Sequence, residues 1–415
     1  MFTFEEHIQK LAEFGHVAQL TGTYNTKDYP DGMVLSDDPK NSHITPAFIS
    51  VPDVQTLKSL CGIHNEMASE TLLTEGMPES PELLDYEVNN PLDEHVCNAL
   101  NTFIYGNSEQ VAAWEGTLNK LRFPMQVAVF TADTIVVSAG KPLYIGEEGG
   151  KPVNPTLGNV VIEPGGQIIA RNSGVVTINS LSSQGVSRDF ERLAATATDP
   201  AQTITLVSVG GDGGKGGDGG NGSTNPNPGS KGADATENGK SGCNAAVIGG
   251  KGPDGGNAST TTGRGGDGNP ANPINYNVSE MNGNYIVGSI GGNGGPGGKG
   301  GNGGNGSPGG AGGAACRSCQ QASQGPGGKG GNAGPGGRGG DGGPGAKVYV
   351  NYTSGSPNIS VSNLKANGGG GGAAGSNGSG GQGVPPGDNG ATALPGDGGN
   401  GGTAGQVIIN GIVTN

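Results

Sequence analysis

Apolar positions recur with two different periods along this 415-residue chain, and then nearly disappear. Over the first 125 residues the spacing is helical. Phe4, Ile8 and Leu11 share a face behind a Thr3/Glu6 capping pattern, with Gly15 as a stop. Val54, Leu57, Cys61 and His64 repeat that spacing. Asn90-Pro91 opens a further helix carrying Leu92, Val96, Leu100 and Phe103 up to Gly106, and Ser108 caps one carrying Val111, Trp114, Leu118 and Leu121. From residue 126 the pattern becomes short β-branched runs between Gly, Pro, Asn and Asp turns: QVAVF (126–130), TIVV (134–137), PLYI (142–145), NVVI (159–162), QIIA (167–170) and VVTI (175–178). A short helix is expected over Ser187 to Ala197 before ITLVSV (204–209). Regular short strands of this kind suit either a sandwich or a solenoid.

Beyond residue 209 most apolar positions give way to glycine, and the 88 glycines crowd into this half. The triplets keep phase: Asn293, Pro296, Lys299, Asn302, Asn305, Pro308 and Ala311 stand three apart, as do Lys329, Asn332, Pro335, Arg338, Asp341 and Pro344. Lys231, Asp234, Glu237 and Lys240 hold the same spacing. Flexible linkers have no reason to keep phase. Three residues per turn is the geometry of the polyproline II helix, which leaves backbone N–H and C=O groups pointing sideways and in need of partners. Collagen places one glycine per triplet at its axis, so the second glycine here argues for lateral packing within one chain instead. Strands lead directly into the repeats at 204–209, 285–290 and 359–367, and follow them at 343–352 and 402–411.

These Gly-Gly-X triplets, over about residues 210–405, resemble the polyglycine II sandwich proteins, a family that includes snow-flea antifreeze protein and phage tail-fibre-tip adhesins. The resemblance implies a slab of glycine helices with X side chains outside. The expected fold is therefore multidomain: a helical N-terminal attachment or capping domain (1–125), a β-rich domain (126–209), and a polyglycine II bundle or sandwich interleaved with strands (210–415).

The net charge of −14 excludes nucleic acid and anionic membrane as natural partners. No run of apolar residues approaches membrane-spanning length, and the acidic N-terminus lacks the layout of a signal peptide. Synthesis in the cytoplasm, with action outside the cell or as part of a particle, is the resulting expectation. No Gly-x-Ser-x-Gly elbow and no convincing nucleophile or carboxylate pair is seen, so an enzyme, a cofactor or a metal is not expected.

Among five cysteines, Cys316 and Cys319 form the local candidate disulfide pair. Binding is expected in loops at the tips of the slab, 269–284 and 314–324, with Tyr276, Asn277, Tyr285, Arg317, Gln320 and Gln321 as contact residues. The function that suits this layout is recognition of a cell-surface receptor or glycan, with a carrier protein held by the N-terminal domain. A self-assembling filament or coat, a toxin that binds a host surface, and an ice-binding protein remain as alternatives.

Overall fold

The computed structural model describes residues 4–17, 20–61, 65, 78–91, 93–184, 204–239 and 242–414. Thr3, His64, Leu92, Lys240 and the helix expected at 187–197 lie outside the described residues.

The long apolar runs become a row of parallel strands: β4 (Met125–Val137), β6 (Val153–Ile162), β8 (Gly174–Ser183), β12 (Ile274–Ile290), β13 (Lys347–Ser362) and β14 (Gln406–Ile409). A second parallel row holds the short strands β2 (Met33–Leu35), β5 (Leu143–Ile145), β7 (Ile168–Ala170) and β9 (Leu206–Val209). Both rows meet on β12, which pairs with β8 through Ile274 to Gly283 and with β9 through Val287 to Ile290. Between β4 and β5 the chain bends through Gly140, at φ 67°, a left-handed conformation that glycine adopts without strain.

The sheet thus nearly closes into a barrel. Its interior is one apolar core, with Met33, Leu35, Ile135, Leu143, Ile145, Ile168, Leu206, Tyr276 and Val350 among its buried residues. Strands with both faces covered read as nearly continuous Val/Ile/Leu runs, as parts of β4, β6 and β8 do.

Two antiparallel strands join the sheet, β3 (Ala47–Val51) on β4 and β15 (Ile412–Thr414) on β14. The strand β1 (Thr23–Asn25) joins β4 in parallel, and β10 (Thr236–Asn238) with β11 (Gly242–Asn244) makes a separate antiparallel hairpin. Helices α2 (Val54–Cys61), α3 (Glu94–Tyr105) and α4 (Glu115–Arg122) pack Val54, Leu60, Val96, Phe103 and Leu118 against Val127, Val129, Val175, Tyr349 and Ile408 of the sheet's outer face. Trp114 is fully buried there and donates its indole N–H to the Pro78 carbonyl at 3.0 Å. Helix α1 (Phe4–Glu13) buries His7, whose Nε2 lies 3.1 Å from Thr156 Oγ1 of β6.

These observations overturn the expected fold class. A large, mostly parallel, nearly barrel-like sheet dominates the molecule, neither a sandwich nor clearly a solenoid, and strands from all three expected regions belong to it. A helical N-terminal domain followed by a bundle is not what forms. The strands β1 to β3 escape sequence reading because they are three to five residues long and pair with segments far downstream. Helix starts also differ: Asp93, not Asn90, caps α3, and Asn107, not Ser108, caps the following 3-10 turn.

The glycine-rich segments form six extended runs attached to this sheet: 210–235, 247–271, 291–314, 322–345, 366–384 and 385–405. The first, third and fifth run in one direction in one layer. The second, fourth and sixth run oppositely in a second layer. Within a layer, Gly213, Gly216, Gly219 and Gly222 donate N–H bonds to Asn293, Pro296, Lys299 and Asn302 at 2.7–2.9 Å. Between layers, Gly295, Gly298 and Gly304 donate to Gly266, Gly263 and Gly256 at 2.8–3.0 Å. In the second, third and fourth runs every third N–H therefore goes to one neighbour and every third to another, which accounts for the period of three.

The sheet sets the register of this array. Leu206 pairs with Val287, an offset of 81 residues, and Asp212 of the first run bonds Asn293 of the third across the same 81. Ile274 pairs with Val348 across 74, the separation of Asp267 and Asp341 and of Asn293 and Asn367. Lys347 pairs with Gln406 across 59, as Asp341 does with Asn400.

Candidate recognition tip

Where neighbouring runs consume two of every three N–H groups, as in the third and fourth runs, the X residue's own N–H is left over. Aspartate and asparagine at X supply its acceptor. Asp212, Asp218 and Asn221 take the N–H groups of Asn293, Lys299 and Asn302 at 2.6–2.8 Å. Asp254, Asn257 and Asp267 take those of Lys329, Asn332 and Asp341 at 2.7–2.9 Å. Asn293, Asn302 and Asn305 pass the pattern on to Asn367, Ser376 and Ser379, each at 2.9 Å.

Proline obeys the same logic, because it has no N–H to satisfy. At the same offset from Pro296 stands Lys215, and from Pro326 stands Lys251; both lysines instead bind the aspartate three residues further along their own run.

Those pairs, Lys215–Asp218, Lys231–Asp234, Lys251–Asp254, Arg264–Asp267 and Arg338–Asp341, measure 2.6–2.9 Å and neutralise both outer faces. The Lys215 ammonium and the Lys299 N–H together hold the Asp218 carboxyl below the usual carboxylate range. Lys231 with the Ala314 N–H does the same for Asp234, and Lys251 with the Lys329 N–H for Asp254. For Asp341 the Asn400 N–H is foremost, followed by Arg338 and Arg264.

Away from the sheet the chain reverses three times, at 236–246, 315–321 and about 382–387, so these turns collect at one end. The first reversal is the β10–β11 hairpin, in which Glu237 stands opposite Cys243. The second is closed by the Cys316 N–H on the Cys319 carbonyl at 3.0 Å. The two are joined by the Cys243–Cys319 disulfide and by Glu237, which accepts from Ser318 N and Oγ at 3.1 Å each. The expected Cys316–Cys319 pairing gives way to this one; Cys316 is free, and the sulfurs of Cys243, Cys316 and Cys319 lie within 4.8 Å of one another. A local pair can be read from spacing. A bond across 76 residues depends on the hairpin meeting the neighbouring turn.

The expected contact residues separate into two groups. Arg317, Gln320 and Gln321 are exposed on the second reversal, beside the disulfide. Tyr276, Asn277 and Tyr285 are not in a tip loop at all, since 274–290 is the central strand β12. Tyr276 and Tyr285 are buried, and Asn277 accepts from Asn351 of β13 at 3.3 Å. Asparagine and proline around residue 270 read as loop signals, but the stretch finds a strand on either side.

Sequence reading missed Cys243 and three apolar side chains at the same end, Val247, Ile248 and Val384, which are 54%, 58% and 59% exposed. The Val-Ile pair immediately before a glycine repeat was the available signal. Buried apolar residues would normally be assumed there.

Compared with family models, characterised proteins and solved structures, the chain matches none. Among the described residues no helix is long and apolar enough to cross a membrane.

Proposed function

We propose that this is a non-catalytic recognition protein that presents its cross-linked tip to a receptor or glycan on a cell surface. The observation that carries this reading is the convergence of three chain reversals at the end of the array, with exposed Arg317, Gln320 and Gln321 beside exposed Val247, Ile248 and Val384. A mixed polar and apolar surface on a stiff, pre-organised support is the composition that binding sites need, because little conformational entropy is lost on contact. The array would hold that surface away from the sheet by about 60 Å, at about 3.1 Å per residue over roughly 20 residues. The resemblance to polyglycine II adhesins rests on the Gly-Gly-X triplets of the sequence.

Internal pairing of charges along both faces favours recognition over ice binding. The test is attachment of the labelled full chain to a panel of bacterial and animal cells, alongside Arg317→Ala/Gln320→Ala/Gln321→Ala and Val247→Ser/Ile248→Ser variants. Attachment that depends on these residues is expected. Equal attachment by all variants, with melting unchanged, would remove the tip from the function.

A further inference from the structure

The three sulfurs at the tip do more than one disulfide requires. We infer that the reduced tip is a zinc site, with Cys243, Cys316 and Cys319 as three thiolate ligands and a water molecule completing the tetrahedron. Zinc–sulfur bonds of about 2.3 Å place two ligand sulfurs about 3.8 Å apart in a tetrahedral site; the three sulfurs here fall within 4.8 Å of one another with Cys243 and Cys319 bonded, so reduction has only to let that pair separate to ligand spacing. A disulfide uses two of them and leaves Cys316 idle, whereas a single ion uses all three. Thiolates select zinc over magnesium or calcium, which prefer oxygen ligands. Among the described residues no histidine or carboxylate belongs to the cluster.

The supports are already in place. Cys316 and Cys319 are held by the backbone bond across their four-residue turn, and Cys243 is held by the hairpin opposite Glu237, whose carboxylate grips Ser318 between the other two ligands. Zinc would therefore join the same two reversals that the Cys243–Cys319 bond joins under oxidising conditions. In the conversion, a phosphine and water reduce the disulfide to two thiols with formation of the phosphine oxide. The three thiols then release three protons as Zn2+ accepts three sulfur lone pairs.

Co2+ serves as the optical probe, titrated without oxygen into the full chain reduced by a phosphine. Binding of one Co2+ per chain is expected, with a thiolate-to-cobalt charge-transfer band that Zn2+ removes. The band should survive in C61S/C97S and be lost in C316S. The oxidised protein, which offers Cys316 alone, should give no band. Absence of the band from the reduced protein, an undiminished band in C316S, or an equal band in the oxidised chain would each overturn the assignment. Unchanged Cys243–Cys319 formation in oxidised C316S, read by thiol counting, shows that this variant still folds at the tip.

Discussion

The sheet and the glycine array pair their backbones in one shared register, yet almost nothing else about their stability is alike. In the sheet, side chains from both rows fill an apolar interior, and Leu143, Ile145, Val160 and Ile178 are fully buried. In the array the interior is mostly backbone against backbone, and nearly all large side chains stand on the outer stripe. A sheet tolerates any residue whose side chain suits its face. At most inner positions the array has no room for one, because carbonyl oxygens of neighbouring runs occupy the place where a Cβ would stand, and the few exceptions, such as Ala258 and Ser307, are small. A long-range parallel register can thus be fixed once by hydrophobic burial and then extended by hydrogen bonds alone.

The largest expected effect separates inner from outer glycines. A Cβ on Gly301 would lie 2.1 Å from the Gly220 carbonyl oxygen, while one on Gly214 meets nothing within 4 Å. Rigid backbone cannot yield, so Gly301→Val should cost more than about 4 kcal/mol, in the range of severe overpacking. Gly214→Ala should be neutral or stabilising by about 0.5 kcal/mol through loss of unfolded-state entropy. Thermal unfolding of the two variants checks this, and equal losses would mean that the inner runs are not close-packed.

Next in size is a cavity in the sheet. Leu143→Ala should cost about 2–5 kcal/mol. Because the array takes its register from β9, β12 and β13, hydrogen exchange should accelerate in the glycine runs as well as in the strands. Protection of the runs that outlasts the strands would show that the array stands by itself.

Acid should weaken the sheet before the array. Burial, with a smaller contribution from Lys10, lowers the His7 pKa from 6.5 to about 4. The folded state holds this histidine neutral while the unfolded chain protonates it, so the stability it carries is present above pH 6.5 and lost as pH falls toward 4. The loss amounts to about 3 kcal/mol across that window. His7→Gln should flatten the stability profile there. The carboxyls of Asp218, Asp234, Asp254 and Asp341 are depressed, so their contribution to the array is lost at lower pH, as it falls through their folded values. Denaturant midpoints measured from about pH 7 down to about pH 3 resolve the two stages.

The smallest effect concerns the outer stripe. Asn302→Ala removes the acceptor of the Ser376 N–H and should cost about 1 kcal/mol. Lys215, at the position matched with Pro296, serves no such N–H and only its exposed pair with Asp218, so Lys215→Ala should cost less than Asn302→Ala. A larger loss from Lys215 than from Asn302 would invert the pattern of acceptors along the stripe.

Much of the array was legible in the sequence. The phase of Asn293, Pro296, Lys299 and Asn302 identifies an outward stripe because a three-residue repeat repeats its direction on every turn. Trp114 on an apolar helical face was likewise readable as core. Less was legible of the fold around it. Met33 to Leu35 and Thr23 to Asn25 are too short to announce themselves as strands, and β12 contains Asn275, Asn277, Asn282 and Asn284, which imitate a loop. Half of the expected tip was misplaced for that reason. That Arg317, Gln320 and Gln321 lie on a chain reversal was legible because a glycine-free interruption of a strict repeat is visible by eye.

By itself the sequence determined the local geometry of the glycine runs, since steric freedom and hydrogen-bond periodicity are properties of the triplet. It also determined which runs carry acceptors for the left-over N–H groups. Only the tertiary structure decided which runs are neighbours. Glycine segments are interchangeable to one another, so their partners are chosen by the offsets of 81, 74 and 59 residues that side-chain burial imposes on the adjoining strands. The meeting of Cys243 with Cys316 and Cys319 follows from that choice, because only a fixed register brings the first reversal against the second.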